Sequence, residues 1–449
     1  MSQTSLERAA SLVERLKNLH DGPRVLPEVI RLGEAAVPAL EVILRGPSQA
    51  VPHSRCFAAD ALGAIGTPDS TAALVAALRD SIARNPDPIS LEAESVVIDR
   101  IAEHLGFCPR VEVAEALLEA LHRRPYPGCA RSLGRLRESR AIPLLIECLN
   151  DDVARPAAVE ALRCFGRVAS EALCRMFVET RLSSGLEAPS RIDGRAAAVR
   201  LLGELIDSRA APAYAEAVLR GSLCERHRKV RLEAALAMAR RGGAMAERAS
   251  ATLALALDEP DWARTEEIAR ALVKMGSAAE EIVVALISAV PMDESGRRRR
   301  LRAAEVAGRL HAKSAVAPLC ALARAPDPKL RLSAVTALAQ IPSAAAVQLD
   351  RFVSDPTALV RRRAVEALRG RQALDVNRAA VLVGDSDRGV RQLARATLAE
   401  CGAVATPALK RVLRSFGAPL HGLRSRARLW LHAGISLILL RRARPPETQ

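Results

Sequence analysis

Three segments, DPKLRLSAVTALAQI (327–341), DPTALVRRRAVEALRG (355–370) and DSDRGVRQLARATLAEC (385–401), repeat one pattern. Each opens on an Asp and passes through a short turn to an aliphatic residue and an Arg. Small apolar residues then follow at helical spacing. Arg331, Arg361 and Arg391 recur at intervals of 30 residues. A fixed period of roughly 20–50 residues marks a stacked repeat architecture. Such a unit is a helical hairpin too small to bury its own apolar face, so it buries that face against its neighbours. The expected fold is all-α: a right-handed α-α superhelix, HEAT/armadillo-like, of about a dozen helical hairpins.

The elements Asp, then [VL]-R-x-x-A, resemble the short HEAT-like repeat of bacterial proteins, the type also found in phycobilin lyase subunits. The resemblance is sharp over the last third of the chain. It places the repeat's structural Asp on Asp327, Asp355 and Asp385, and its structural Arg on Arg331, Arg361 and Arg391. In such repeats these residues belong to the scaffold and not to catalysis.

Composition agrees with a solenoid. A chain of 449 residues would ordinarily divide into two or three globular domains, but an array grows without enlarging one core. Six Phe, two Trp and two Tyr are too few for an aromatic core, so Ala, Leu and Val must build it. Runs of β-branched and aromatic residues that would signal strands are lacking. Nine scattered cysteines without a C-x-x-C argue against a disulfide framework and for a reducing, cytoplasmic location. The first residues carry Glu7 and Glu14 and lack the apolar run of a signal peptide. No run reaches the roughly 18–20 apolar residues of a spanning helix.

Charge is unevenly spread. Residues 297–449 hold 29 basic and 10 acidic side chains, against 37 and 41 in residues 1–296. Such asymmetry is a hint of an anionic partner. Only six of the basic residues are Lys, so the bias also reads as composition on a solvated face.

Helix-opening motifs recur along the chain. Pro sits in the first turn at Ala36-Val37-Pro38, Ile142-Pro143, Ala317-Pro318 and Thr406-Pro407, where a missing N–H is harmless. These mark second helices of repeats. SRCFAADALGAIGTPDSTAALVAALRD (54–80) is the first clear unit, and Arg155, Arg195 and Arg231 return to its phase. Residues 91–150 are less regular. The expected organisation is a solenoid over 1–420, with joints near 181–194 and 291–296. A capping helix and basic tail follow over 421–449.

Catalytic constellations are not visible. No His pair has metal-ligand spacing, and P-loop, dinucleotide and nucleophile-elbow motifs are missing. Neither a cofactor nor a metal site is expected. Asp385-Ser386-Asp387 begins like a calcium loop but has Gly389 and Ala396 where ligands are required, so it reads as an inter-repeat turn. The repeated Asp and Arg read as a structural ladder, since a catalytic pair would occur once. The candidate anion or partner surface is Arg297, Arg298, Arg299 and Arg302, with Arg362, Arg363, Arg369 and Arg371. Four consecutive arginines cannot share one helix face, so one of Arg297–Arg300 can take the ladder role while others face solvent.

The function these features support is a non-enzymatic scaffold or adaptor with a protein partner. Nucleic acid or another polyanion on the Arg-rich last third is the first alternative, although few aromatics are present to stack bases. The second alternative, an accessory subunit of a lyase or other modifying enzyme, rests on the family resemblance. A membrane surface could be met only through 424–444, where arginines flank an apolar run.

Overall fold

The computed structural model describes residues 11–46, 52–84, 88–180, 188–242, 244–414, 432–436 and 438. No strand occurs among them. The chain forms two compact units, Met1–Arg241 and Gly242–Gln449. The segment 291–296 lies inside the second unit, and 181–187 lies outside the described residues.

In the first unit, the first helices of successive hairpins are Gly22–Arg31, His53–Ile65, Pro88–Leu105, Pro127–Arg135, Arg155–Phe165, Pro189–Asp207 and Arg228–Arg241. The second helices are Val37–Leu44, Pro68–Ala83, Val111–Arg123, Ile142–Cys148, Arg167–Thr180 and Ala215–Gly221. Each first helix packs on the first helix of the next hairpin, which makes one layer. The second helices make the other. Residues 91–150, irregular as sequence, form hairpins in the same stack.

The second unit opens on Ala244–Leu255. Its first helices are Trp262–Met275, Glu294–Arg309, Pro328–Gln340, Ala358–Gly370 and Arg388–Cys401. Its second helices are Ser277–Ser288, Val316–Leu322, Ala346–Asp350, Val376–Leu382 and Ala405–Arg414.

The helical spacing of the repeat becomes a buried stripe. Leu330, Ala334, Val335 and Leu338 are buried on one helix, and Val360, Ala364, Val365 and Leu368 on the next. Small residues let these helices approach closely. A Cβ on Gly134 would come within 2.6 Å of Ala161 on the neighbouring first helix, so no larger residue fits there. Second helices with Pro in the first turn, such as Ile142–Cys148 and Val316–Leu322, follow a single 3₁₀ turn.

In most hairpins the turn from first to second helix uses a left-handed residue. Glycine supplies it at Gly66, Gly166, Gly276 and Gly402, whereas Arg137, Arg209, His311 and Gln372 adopt φ of 52–60° at the equivalent turns. From the tail, 432–436 is helical, with Ala433 and Ser436 buried. The His432 ring meets the Arg395 guanidinium of the last first helix. Apart from residue 438, the rest of 421–449, including most of 424–444, lies outside the described residues.

Candidate interaction surfaces

Arginine geometry on the first helices decides which charges are free to meet a partner. Arg331 donates to both carboxylate oxygens of Asp355, at 2.9 and 3.1 Å, and Arg361 does the same to Asp385, at 2.9 and 2.7 Å. Each guanidinium also binds two carbonyls of its own turn. For Arg361 these are Asp355 O at 2.8 Å and Pro356 O at 3.2 Å. Arg391 binds Asp385 O and Ser386 O in the same way, at 2.8 and 2.9 Å. Asp327, Asp355 and Asp385 each accept from the backbone N–H two residues on, at 2.7–2.8 Å. Each turn is thereby tied to the helix behind it. The bonds to Asp385 raise the Arg361 pKa above its ordinary value, so it stays charged.

Asp327 receives Arg297 at 2.5 Å. Burial pushes the Asp327 carboxyl up, but the Lys329 N–H and Arg297 outweigh it and hold the group below its usual value. Arg300, the fourth residue of the run, donates to Ile287 O at 2.7 Å. The turn at Asp385 is capped as a helix start, with Asp387 accepting from Val390 N at 3.0 Å.

Most arginines of the sequence-expected surface are already engaged. Arg297 also pairs with Glu294 at 2.8 Å, Arg299 lies 3.7 Å from Asp258, and Arg302 pairs with Glu305 at 2.8 Å. Arg362 and Arg363 share Glu366 at 3.1 and 3.4 Å, and Arg369 binds Glu400. Arg371 reaches across one repeat to Leu338 O, Ala339 O and Ile341 O at 2.8–3.1 Å, closing the end of helix Pro328–Gln340. Arg298 alone of the run 297–300 is exposed. A run of arginines in sequence is therefore not a free cationic patch in space.

The first unit contains one deeper ion pair and one of similar depth to those above. Arg55 donates to both oxygens of Glu94 at 2.5 and 2.9 Å and to Ser81 and Leu44 O, and the Glu94 side chain is only 2% exposed. Arg195 pairs with Glu225 at 3.0 Å, also buried. Arg231 repeats the turn geometry, bonding Glu225 O and Arg226 O at 2.7 Å. Both acids escaped the sequence reading. They lie 39 and 30 residues beyond their arginines and are Glu, so a search for a periodic Asp passes over them.

Two open grooves lie in the first unit. One, of about 660 Å³, has a floor of Pro156, Val159, Ala196 and Ala197 between helices Arg155–Phe165 and Pro189–Asp207. Its rim is occupied by ion pairs, Arg163 with Glu204 at 2.7 Å and Lys229 with Asp193 at 2.5 Å. The other, of about 420 Å³, is on the second-helix layer and is lined by Ile142, Pro143, Ile146, Val168, Ala172 and Met176. No cluster of His, Cys, Asp and Glu able to hold a metal occurs among the described residues. Burial pushes the Cys148 thiol up to about 12 and Cys174 to about 11, so neither is a thiolate nucleophile at neutral pH.

Comparison with known proteins agrees with the repeat geometry. Residues 283–369 match the family profile HEAT repeats, and 54–80 and 128–151 match the PBS lyase HEAT-like repeat. The chain carries HEAT repeats. Among curated proteins, none matches it in sequence. In structure it is similar to the karyopherin Kap121p bound to Nup53p (TM-score 0.59, 12% identity, 98% of this chain and 55% of that one). Kap95p in its complex with RanGDP is similar too (0.55, 12% identity, 100% and 68%), as is importin beta (0.52, 13%, 96% and 67%). The chain spans about half the length of Kap121p, 53% in its complex with RanGTP. These likenesses show the fold: an all-α superhelical repeat protein.

Proposed function

We propose that the protein is a non-enzymatic scaffold that holds a protein partner on the exposed faces of its repeats. The observation that carries this reading is the division of labour among its side chains. First-helix arginines and turn aspartates are consumed in joining one repeat to the next, while open grooves with apolar floors and charged rims remain between helices. Such grooves suit the buried anchors and polar rim of a protein interface. Kap121p, of similar fold, is known in complexes with Nup53p and RanGTP, which supports a protein partner for this chain in general terms.

The test is native co-purification with and without nuclease, read by mass spectrometry. A stoichiometric protein that survives nuclease is the expected result; its absence from wild-type preparations overturns the scaffold reading. Nucleic acid on the arginines of 297–302 and 362–371 is the weaker reading, because most of those guanidiniums already have carboxylate or carbonyl partners. A polyanion there would weaken with salt at a log–log slope of roughly −5 for six phosphates. An accessory role in a modifying enzyme is supported only by the matches at 54–80 and 128–151.

A further inference from the structure

In the second unit, exposed cations with no ion pair among the described residues lie on both layers: Arg298, Lys329 and Arg388 on first helices, and a further group on the second helices. Arg324, Arg351, Lys410 and Arg414 are exposed and make no ion pair among the described residues. They come from helices Val316–Leu322, Ala346–Asp350 and Ala405–Arg414 or the residues just after them. Position and contacts connect them into one row. Arg324 and Arg351 directly follow the second helices of consecutive hairpins, Val316–Leu322 and Ala346–Asp350. Arg378 binds Asp350 at 3.0 Å, joining helix Val376–Leu382 to its predecessor. Arg411 donates to Asn377 Oδ1 at 2.9 Å, joining the last helix to that one.

Carboxylates on this row are few and committed. Asp350 is held by Arg378, and Asp375 caps its own helix through the N–H groups of Asn377 and Arg378. The row is therefore net cationic.

Exposed aliphatic residues are interleaved with these cations. Val347 is 70% exposed, one turn from Arg351, and Val381 is 55% exposed, one turn from Arg378. No aromatic ring stands among the exposed residues of these helices. A phosphate backbone has no use for exposed valines, and single-stranded bases need rings to stack on. An amphipathic segment rich in Asp or Glu with aliphatic side chains satisfies both features at once.

We infer that the second-helix face of the second unit, from Arg324 to Arg414, docks an acidic amphipathic segment of a protein partner. This rests on the scaffold reading and names its chemistry.

The test is a fluorescence-anisotropy titration of the full-length protein with a labelled helical peptide of roughly 20 residues that alternates Leu and Glu pairs. Polyglutamate and single-stranded DNA of similar length are the comparison probes. The peptide should bind more tightly than either. Arg324→Glu with Arg351→Glu should weaken it about tenfold or more, and Val347→Ser with Val381→Ser about fivefold. Arg362→Glu with Arg369→Glu, on the first helices, should leave it within about twofold.

Because the mutated second-helix residues are exposed, the variants should melt with the wild type, which separates lost binding from lost folding. Three outcomes overturn the proposal: no peptide binding, DNA bound more tightly than peptide, or valine variants that bind like the parent. In the co-purification experiment, a partner retained by the Arg324→Glu, Arg351→Glu variant overturns this face and leaves the scaffold standing. A wild-type chain that retains no partner removes the scaffold itself.

Discussion

One repeat of the first unit and those of the second solve one problem with acids placed differently. Every repeat must satisfy the carbonyls of its turn and fix its position against the next repeat. In the second unit a first-helix Arg reaches a turn Asp 24 residues later, at Asp355 or Asp385, where the carboxylate also orders its own turn. In the first unit, Arg55 instead meets Glu94, which projects from a neighbouring helix into the interior. The turn Asp serves two purposes with one side chain and so leaves a periodic trace in the sequence. The buried Glu94 sits between Arg55 and Arg84 inside a helix and leaves no such trace. Depth also changes the energetics: a pair taken fully out of water is expensive to leave half made, whereas a turn pair relaxes toward solvent.

Substitutions can break or sharpen this contrast. The largest effect is expected at Glu94→Ala, which strands the buried Arg55 charge and should lower stability by about 3–5 kcal/mol in denaturant unfolding. Arg361→Ala should lower it by about 1–3 kcal/mol, since the bonds it loses are charge-assisted and lie nearer the surface. If the two variants unfold alike, depth is not the variable that separates the two pairs.

A subtler effect concerns acid. Asp327 titrates below the usual carboxylate range when folded, so its contribution is fully present above about pH 4. It is lost as pH falls through the lower folded value. Arg297→Gln should therefore be less stable than the parent near neutrality, with the difference shrinking below about pH 4 in paired acid-unfolding curves. The smallest expected change is a gain. Gln372 is left-handed at φ 53° where other repeats use Gly, and Gln372→Gly should raise stability by about 0.5–1 kcal/mol in the same unfolding assay.

The repeat was legible in sequence because each of its parts has a local cause. The aliphatic-Arg-x-x-Ala spacing is the buried stripe of one helix, and Pro in the first turn announces the second helix. The surface was less legible for a physical reason. Consecutive arginines such as 361–363 fan out around a helix, and each finds a carboxylate three to five residues away or one repeat away. Some cations that remain open, such as Arg324 and Arg351, are isolated in sequence and follow the second helices of consecutive hairpins. Charge runs report composition, whereas free charge is what remains after pairing.

The Arg391 side chain bonds its own turn, and no carboxylate of a following repeat receives it among the described residues. Treated as a line of coupled units, the second unit thus has carboxylate links at Arg331 and Arg361, while the last first helix is met by the tail through His432 on Arg395. Where the carboxylate link is missing, opening should begin and run backward along the array. Amide protons of helix Arg388–Cys401 should then exchange before those of Ala358–Gly370, and those before Pro328–Gln340. The order of protection would read out the direction in which the array comes apart.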